Sequence, residues 1–321
     1  MPLYPLTFKP IFKERVWGGR NLQRLYGKEL PAGAVIGESW EVSDRPDDVS
    51  VVSNGPLAGK NLHWLVESFH TNLLGEAKLE GGRFPLLIKL LDARDVLSLQ
   101  VHPPADKAAA LHGDPKTEMW FIAEADPGAH LHVGLKRGVT RTEFERRIKD
   151  GSVAECFHQV PVKSGEAMFL PSGRVHAIGA GLVIFEIQQN SDTTYRVFDW
   201  NRVGLDGKPR ELHIEQSLAS IDFNDFEPDL VGGEEVVGSN FRSRLLVNHA
   251  LFRVEQFKVQ ATGSIRFPSG RMHIVGVVNG EVRVGADLTL RAGQFCLLPA
   301  CLPSPELFAE PGTQFLRTEA G

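Results

Sequence analysis

Residues 165–176 read GEAMFLPSGRVH: a glycine, a short apolar run, a Pro-Ser-Gly turn, and a histidine three residues beyond the turn glycine. The run at 167–170 is too short for a helix and stops at a turn signal, so it reads as a strand. Residues 293–304, GQFCLLPACLPS, repeat the opening: Gly, five residues holding an apolar run, then Pro. Where the first copy continues to Gly173 and His176, the second has Cys301 and Ser304. Two readings fit this echo. It is a coincidence between two strand-turn segments, or it marks two related β-barrels of which only the first kept its histidine.

Outward from these segments the pattern is the same. The 32 Gly and 20 Pro punctuate short apolar runs along the whole chain, as in an all-β sandwich or barrel. Strands are expected at 35–43, 85–91, 96–102, 118–123, 167–170, 182–189, 195–200, 251–259, 272–278 and 294–298, many of them rich in Val, Ile, Phe and Trp. Helices are few. Residues 61–74 place Leu62, Leu65, Val66, Phe69 and Leu73 at helical spacing, between Asn61 as a cap and Gly75. Thr140 and Glu143 form a capping-box pattern ahead of Phe144 and Ile148, with Gly151 to close that helix. Shorter helices are expected at 105–111 and 211–220. Residues 228–239 are acidic and without periodicity, and read as a linker. The expected division is therefore 1–230, with the histidine motif and the helical additions, and 231–321, a second β domain without metal.

Composition narrows the function. The chain of 321 residues has 35 Lys+Arg against 40 Asp+Glu, a net charge of −5. That balance lacks the basic stripe of a nucleic-acid binder. Three cysteines, Cys156, Cys296 and Cys301, are too few and too odd for a secreted disulfide framework. The opening residues carry charges and prolines where a signal peptide has an apolar core, and no run approaches a membrane span. A cytoplasmic protein with no membrane partner is expected.

The chemistry begins at residues 86–102, LLIKLLDARDVLSLQVH. In a strand, alternate side chains share a face, so Ser98, Gln100 and His102 point one way and Leu97, Leu99 and Val101 the other. An inward polar row in a small barrel needs a reason, because buried polar groups are costly unless paired. Lys116 and Glu118 form a second row, and Glu186, Gln188 and Asn190 a third. Gln100, His102, Glu118 and His176 make a mixed nitrogen and oxygen set that suits zinc. Scattered strand polar residues and a satisfied core histidine fit the same pattern. Lys89 interrupts an apolar strand, either as an anion-binding cation or as a snorkelling edge lysine.

The pattern G-x5-P-x-G-x2-H resembles the second motif of the cupin superfamily, except that Ala180 stands where an Asn is usual. The segments Trp17–Gly19 (WGG), 37–44 (GESWEVSD), 54–60 (NGPLAGK), 86–103, 116–121 (KTEMWF), 170–181 (LPSGRVHAIGAG) and 186–202 (EIQQNSDTTYRVFDWNR) together resemble the type I mannose-6-phosphate isomerases. The likeness runs from about Trp17 to His213 and is of the short bacterial form. The interval between Glu118 and His176 is too short for an inserted helical domain, and no nucleotidyltransferase module is present. The resemblance implies a mainly β fold of two cupin-like, jelly-roll barrels with a few short helices. It implies one zinc ion held by Gln100, His102, Glu118 and His176. It places the sugar phosphate near Lys89, Ser98, Lys116 and Arg196, makes Arg196 essential, and sets Glu186 and Asp192 beside the reacting carbons.

The activity so implied is aldose–ketose isomerisation of mannose 6-phosphate and fructose 6-phosphate through a cis-enediol. It needs a base, for which Glu186 and Lys116 both qualify, and stabilisation of the enediolate oxygen. Asp192 suits ring opening. The partner is a small sugar phosphate, and the chain is expected to be a monomer or a weak homo-oligomer. Two other functions compete: a metal-dependent cupin oxygenase, which would want iron and more histidines, and a non-catalytic sugar-phosphate-binding cupin.

Overall fold

The computed structural model describes residues 2–321. Four antiparallel sheets form the framework of the chain. The first has, in spatial order, the strands Ile11–Gly19, Ile36–Val42, Leu86–Ala93, Leu182–Gln189, Glu118–Ala125 and Ala167–Leu170. The second has Tyr195–Phe198, Leu99–Val101, His176–Ile178, His130–Leu135 and Phe157–Pro161. These two sheets face each other across an apolar layer that includes Trp17, Leu91, Trp120, Leu131, Met168 and Ile184. The third sheet, Glu235–Val237, Phe241–Asn248, Phe252–Val259, Gln314–Ala320, His273–Asn279 and Phe295–Leu298, faces the four-stranded fourth sheet in the same way. Each half is thus a sandwich of two open sheets, a jelly roll rather than a closed ring.

The two six-stranded sheets share the largest apolar cluster. Leu86, Ile88, Phe121, Phe185 and Ile187 of the first meet Leu246, Phe252, Met272, Ile274 and Leu297 of the third. The helix Leu62–Leu74 adds Leu62, Leu65, Val66, Leu73 and Leu74 to this layer. Asn61 caps it by accepting the Trp64 N–H at 2.8 Å, a contact worth about 1 kcal/mol. On the far face of the second sheet, Leu99, Val101, Phe157 and Val197 pack on Phe144 of the helix Arg141–Asp150. Thr140 accepts the Glu143 N–H, and Gly151 closes that helix in the left-handed conformation.

The echo between 165–176 and 293–304 has a structural counterpart. Ala167–Leu170 and Phe295–Leu298 are both edge strands of a six-stranded sheet. Leu170 pairs with Glu118, and Leu298 pairs with His273. Carrying the register across, the rung Lys89↔Glu186 matches the rung Glu255↔Arg317. The second half therefore places a charged pair where the first does, with the signs exchanged. Its space is filled, however: the Arg317 guanidinium lies 4.9 Å from the Phe267 ring, and His273 Nε2 donates to the Pro268 carbonyl. Ser304, at the His176 offset, sits in an exposed turn with φ 43°.

Several expected elements differ in extent. Within 228–239, Glu235–Val237 is an edge strand paired with Phe241–Asn248; three residues are too few to show a period, and ladder hydrogen bonds alone suffice there. The strand expected at 195–200 ends at Phe198, because Trp200 and Asn201 turn at φ 56° and 54°. The helix expected from 211 begins at Ile214, and only Leu99–Val101 of 96–102 pairs as a strand. Leu97 packs inward with Trp17 rather than joining Leu99 and Val101 on the far face. Among the described residues no helix is long and apolar enough to cross a membrane.

Candidate functional site

A cavity of about 570 Å³ opens between the first two sheets. Its walls include Lys89, Ser98, Gln100, Lys116, Glu186, Asp192 and Arg196, seven of the residues singled out above. Behind it lie His102, Glu118 and His176, all buried, with candidate donor atoms that converge within 4.8 Å. Three separate elements supply them. His102 follows the strand Leu99–Val101, while Glu118 and His176 open the strands Glu118–Ala125 and His176–Ile178. Gly173 ties two of these together: at φ 92° its N–H reaches the His102 carbonyl at 2.9 Å. A side chain at that backbone angle would be strained, so the turn before His176 needs glycine.

Hydrogen bonding orients the group. His176 Nδ1 donates to the Arg174 carbonyl at 2.9 Å, which leaves the Nε2 lone pair facing inward. That atom lies 3.1 Å from His102 Nε2 and 3.3 Å from Glu118 Oε1. Burial, then Lys116, pushes His102 down to about 3, so the ring is neutral. Burial works against the charge of Glu118, yet the Lys116 ammonium above all holds its carboxyl well below the ordinary range. Neither Glu118 oxygen has a well-formed hydrogen bond; Lys116 Nζ lies 2.9 Å from Oε2, as a charge contact rather than a directed bond. Two neutral imidazoles and an ionised carboxylate without directed donors, aimed at one point, fit a divalent cation. Gln100 flanks them with Nε2 3.3 Å from His176 Nε2, and a flip of its amide turns an oxygen to the same place.

The lysines are enclosed by carboxylates. Lys89 Nζ is 3.5 Å from Glu38, 3.5 Å from Glu186 and 3.7 Å from Asp192, and sits over the Trp40 ring. Burial opposes its charge, but Glu38, Glu186 and Asp192 more than offset that and raise its pKa. Its place in an apolar strand is therefore an internal ion network and not an edge position. Glu38 is held down to about 2 despite burial, by Lys89, Arg15 and the Trp40 N–H. Burial first and Glu118 second push Glu186 up, with Lys89 opposing; Trp120 Nε1 donates to its Oε2 at 2.8 Å. Arg196 donates through Nη1 to the Glu211 carbonyl at 2.7 Å, while its buried Nε finds no acceptor. It forms an ion pair with neither Asp192 nor Asp199: the first binds Lys89, the second Arg202 and Arg210.

Some readings of the sequence need revision. Asp192, Thr194 and Arg196 do meet Glu186 at one cavity, but Gln188 does not; its amide binds the Gln189 and Ser191 carbonyls. Asn190 likewise binds the Asp44 carbonyl. Trp17, given no role beyond packing, lines the cavity. Arg15, Glu38 and Arg210 line it too and were not anticipated. In GESWEV both strand faces carry a glutamate, Glu38 toward Lys89 and Glu41 toward Lys28, so alternation gave no contrast to notice.

Comparison with known proteins places the chain in a family. Residues 6–120 match the family model for the catalytic domain of type I phosphomannose isomerase. A probable mannose-6-phosphate isomerase of Bacillus subtilis is 38% identical over 310 residues, 92% of this chain and 94% of that protein. A mannose-6-phosphate isomerase of Streptococcus mutans is 36% identical over 307 residues, 94% of each. The crystal structure of the Bacillus subtilis mannose 6-phosphate isomerase superposes with a TM-score of 0.89 at 30% identity, covering 98% of this chain and 99% of that one.

Proposed function

The chain belongs to the type I phosphomannose isomerases, and from that premise we propose that it interconverts D-mannose 6-phosphate and D-fructose 6-phosphate by proton transfer through a cis-enediol. The observation that carries this reading is the buried cluster of His102, Glu118 and His176, joined through Lys116 to the cavity that Lys116 and Glu186 line. Gln100, His102, Glu118 and His176 would hold one zinc ion, whose Lewis acidity polarises the carbonyl and hydroxyl pair of the open-chain sugar.

The chain's own groups do the rest. Glu186 is the first choice for the base that moves the proton between C1 and C2. Its raised pKa brings it nearer neutrality, where a general base works best, and Trp120 fixes one oxygen so that the other can act. Lys116, beside Glu118, is the second choice for that base and otherwise serves as a proton donor to sugar oxygens. Asp192, half exposed at the mouth, suits ring opening. Arg196 is a fixed cation for the developing oxyanion and a poor base. Lys89 and Ser98 complete the polar wall that orients the sugar phosphate.

We assign catalysis to residues 1–230 and a bracing, metal-free role to 231–321, where Phe267 and Arg317 occupy the matching space. The protein acts in the cytoplasm, as a monomer or weak homo-oligomer, on a small molecule rather than on nucleic acid or membrane. A coupled assay that follows fructose 6-phosphate formed from mannose 6-phosphate, on metal-replete protein, tests the reading. Binding without turnover would return the chain to a sugar-phosphate sensor. Iron in the purified protein, with oxygen consumption, would make it an oxygenase.

A further inference from the structure

A second charge arrangement meets the same cavity and is not used above. Asp199, only 5% exposed, binds two guanidinium groups and has a third near enough for its charge to be felt. Arg202 Nη2 lies 2.9 Å from its Oδ1, and Arg210 donates Nε to Oδ2 at 2.6 Å and Nη2 to Oδ1. Arg196 is the third; its charge feels both Arg210 and Asp199. Three guanidiniums around one carboxylate leave a local charge of about 3 − 1 = +2, in a wall only partly open to water. The acidic groups nearby, Glu211 at 83% and Asp95 at 62% side-chain exposure and the exposed Asp206 of the cavity rim, are screened by solvent.

Arg210 has a donor to spare. Arg210 spends one edge of its fork on Asp199, which fixes its plane, and its Nη1 has no protein acceptor among the described residues. Arg196 spends Nη1 on a carbonyl and keeps a buried Nε without acceptor. Both line the cavity, and Arg202 does not. Lys89 and Lys116, by contrast, are already matched by Glu38, Glu186, Asp192 and Glu118, so a dianion beside them would face carboxylates. We propose that Arg210 binds the phosphoryl group of the substrate, and that Asp199 is the positioning residue that aims the Arg210 fork. For the identity of the anion, this rests on the isomerase reading. It leaves Lys89 and Lys116 to the sugar end, together with Arg196, which the strand register sets opposite Gln100 and so near the imidazoles.

The experiment uses metal-replete protein and three variants, Arg210→Gln, Arg210→Lys and Asp199→Asn, each checked for an unchanged circular dichroism spectrum. Steady-state kinetics with mannose 6-phosphate are joined to the affinity for inorganic phosphate by calorimetry. Arg210→Gln is expected to raise KM and the phosphate Kd together, by roughly tenfold or more, with kcat within about threefold. Arg210→Lys, which keeps charge but loses the fork, falls between. Asp199→Asn removes a negative charge, so simple attraction would tighten phosphate; lost positioning weakens it, and weakening is the expected sign. Unchanged KM and phosphate affinity in Arg210→Gln overturn the proposal even if the wild type is a good isomerase. Tighter phosphate in Asp199→Asn overturns the positioning role. If the wild type fails to turn over mannose 6-phosphate, the isomerase reading fails, while the calorimetry still decides whether Arg210 binds phosphate.

Discussion

Replacing Lys89 with Met isolates the ion network under the cavity. The methionine stem occupies much the same volume, so little of the effect is packing. What changes is charge: Lys89 is 3% exposed and stands 3.5 Å from both Glu38 and Glu186. Removing one partner of a buried pair costs about 3–5 kcal/mol. The lower end applies here. Glu38 keeps Arg15 at 2.6 Å and the Trp40 N–H at 2.7 Å, while Glu186 keeps only the Trp120 N–H and can take up a proton. A loss of about 3 kcal/mol at neutral pH is therefore expected.

The pH dependence of that loss has a definite sign. The Glu186 pKa is raised in the folded protein, so the native state holds a proton that the unfolded chain releases, and the penalty of its charge is largest at high pH. Without Lys89 the pKa rises further. The gap between wild type and Lys89→Met therefore narrows as pH falls from about 8 toward the ordinary carboxylate range. Urea unfolding followed by tryptophan fluorescence at several pH values reads both quantities. The double variant Lys89→Met/Glu186→Gln, which removes the stranded charge, should recover at least about 1 kcal/mol of the loss. A cost below about 1 kcal/mol that does not vary with pH would refute the reasoning, since Glu186 would then not depend on Lys89 for its charge.

Three other outcomes are expected. His176→Ala should lower the bound metal found by elemental analysis while the circular dichroism spectrum stays native, and chelation of the wild type should abolish activity reversibly; full turnover by verified metal-free protein would sink the zinc assignment. Arg196→Lys keeps charge but not the planar fork, so kcat should fall roughly a hundredfold with little change in KM, as for one lost oxyanion donor; a near-normal kcat would make the arginine structural. Trp120→Phe removes a hydrogen bond that favours ionised Glu186, so the acid limb of kcat/KM should move to higher pH, and an unmoved limb would shift the role of base to Lys116.

What could be read from the sequence followed from local rules. The runs 118–123, 167–170 and 182–189 coincide with strands, and the caps at Asn61 and Thr140 hold, because alternation and capping act over a few residues. The same alternation places Ser98 and Gln100 at the cavity with Lys116, Glu186 and Arg196 in its walls. The strand Ile11–Gly19 went unseen, since IFKERVWGG mixes charges on both faces; its Arg15 reaches Glu38 only through the register with Ile36–Val42. Arg210 was out of reach for another reason. It stands in a loop, with no period to mark it, and its partner Asp199 lies 11 positions away.

The matched rungs Lys89–Glu186 and Glu255–Arg317 let one chain serve as its own control experiment. Both halves were built on the same strand order, yet only one faces a cavity of working size, so whatever both retain belongs to the scaffold and whatever differs is open to selection by a ligand. An oppositely charged pair survives in both, with Arg317 at 2.6 Å from Glu255. The scaffold thus demands neutrality across that rung and is indifferent to its polarity. In the first half the carboxylate, not the cation, stands on the strand next to the one that carries Glu118. A carboxylate near an imidazole pair is something the second half, with arginine at that point, does not offer.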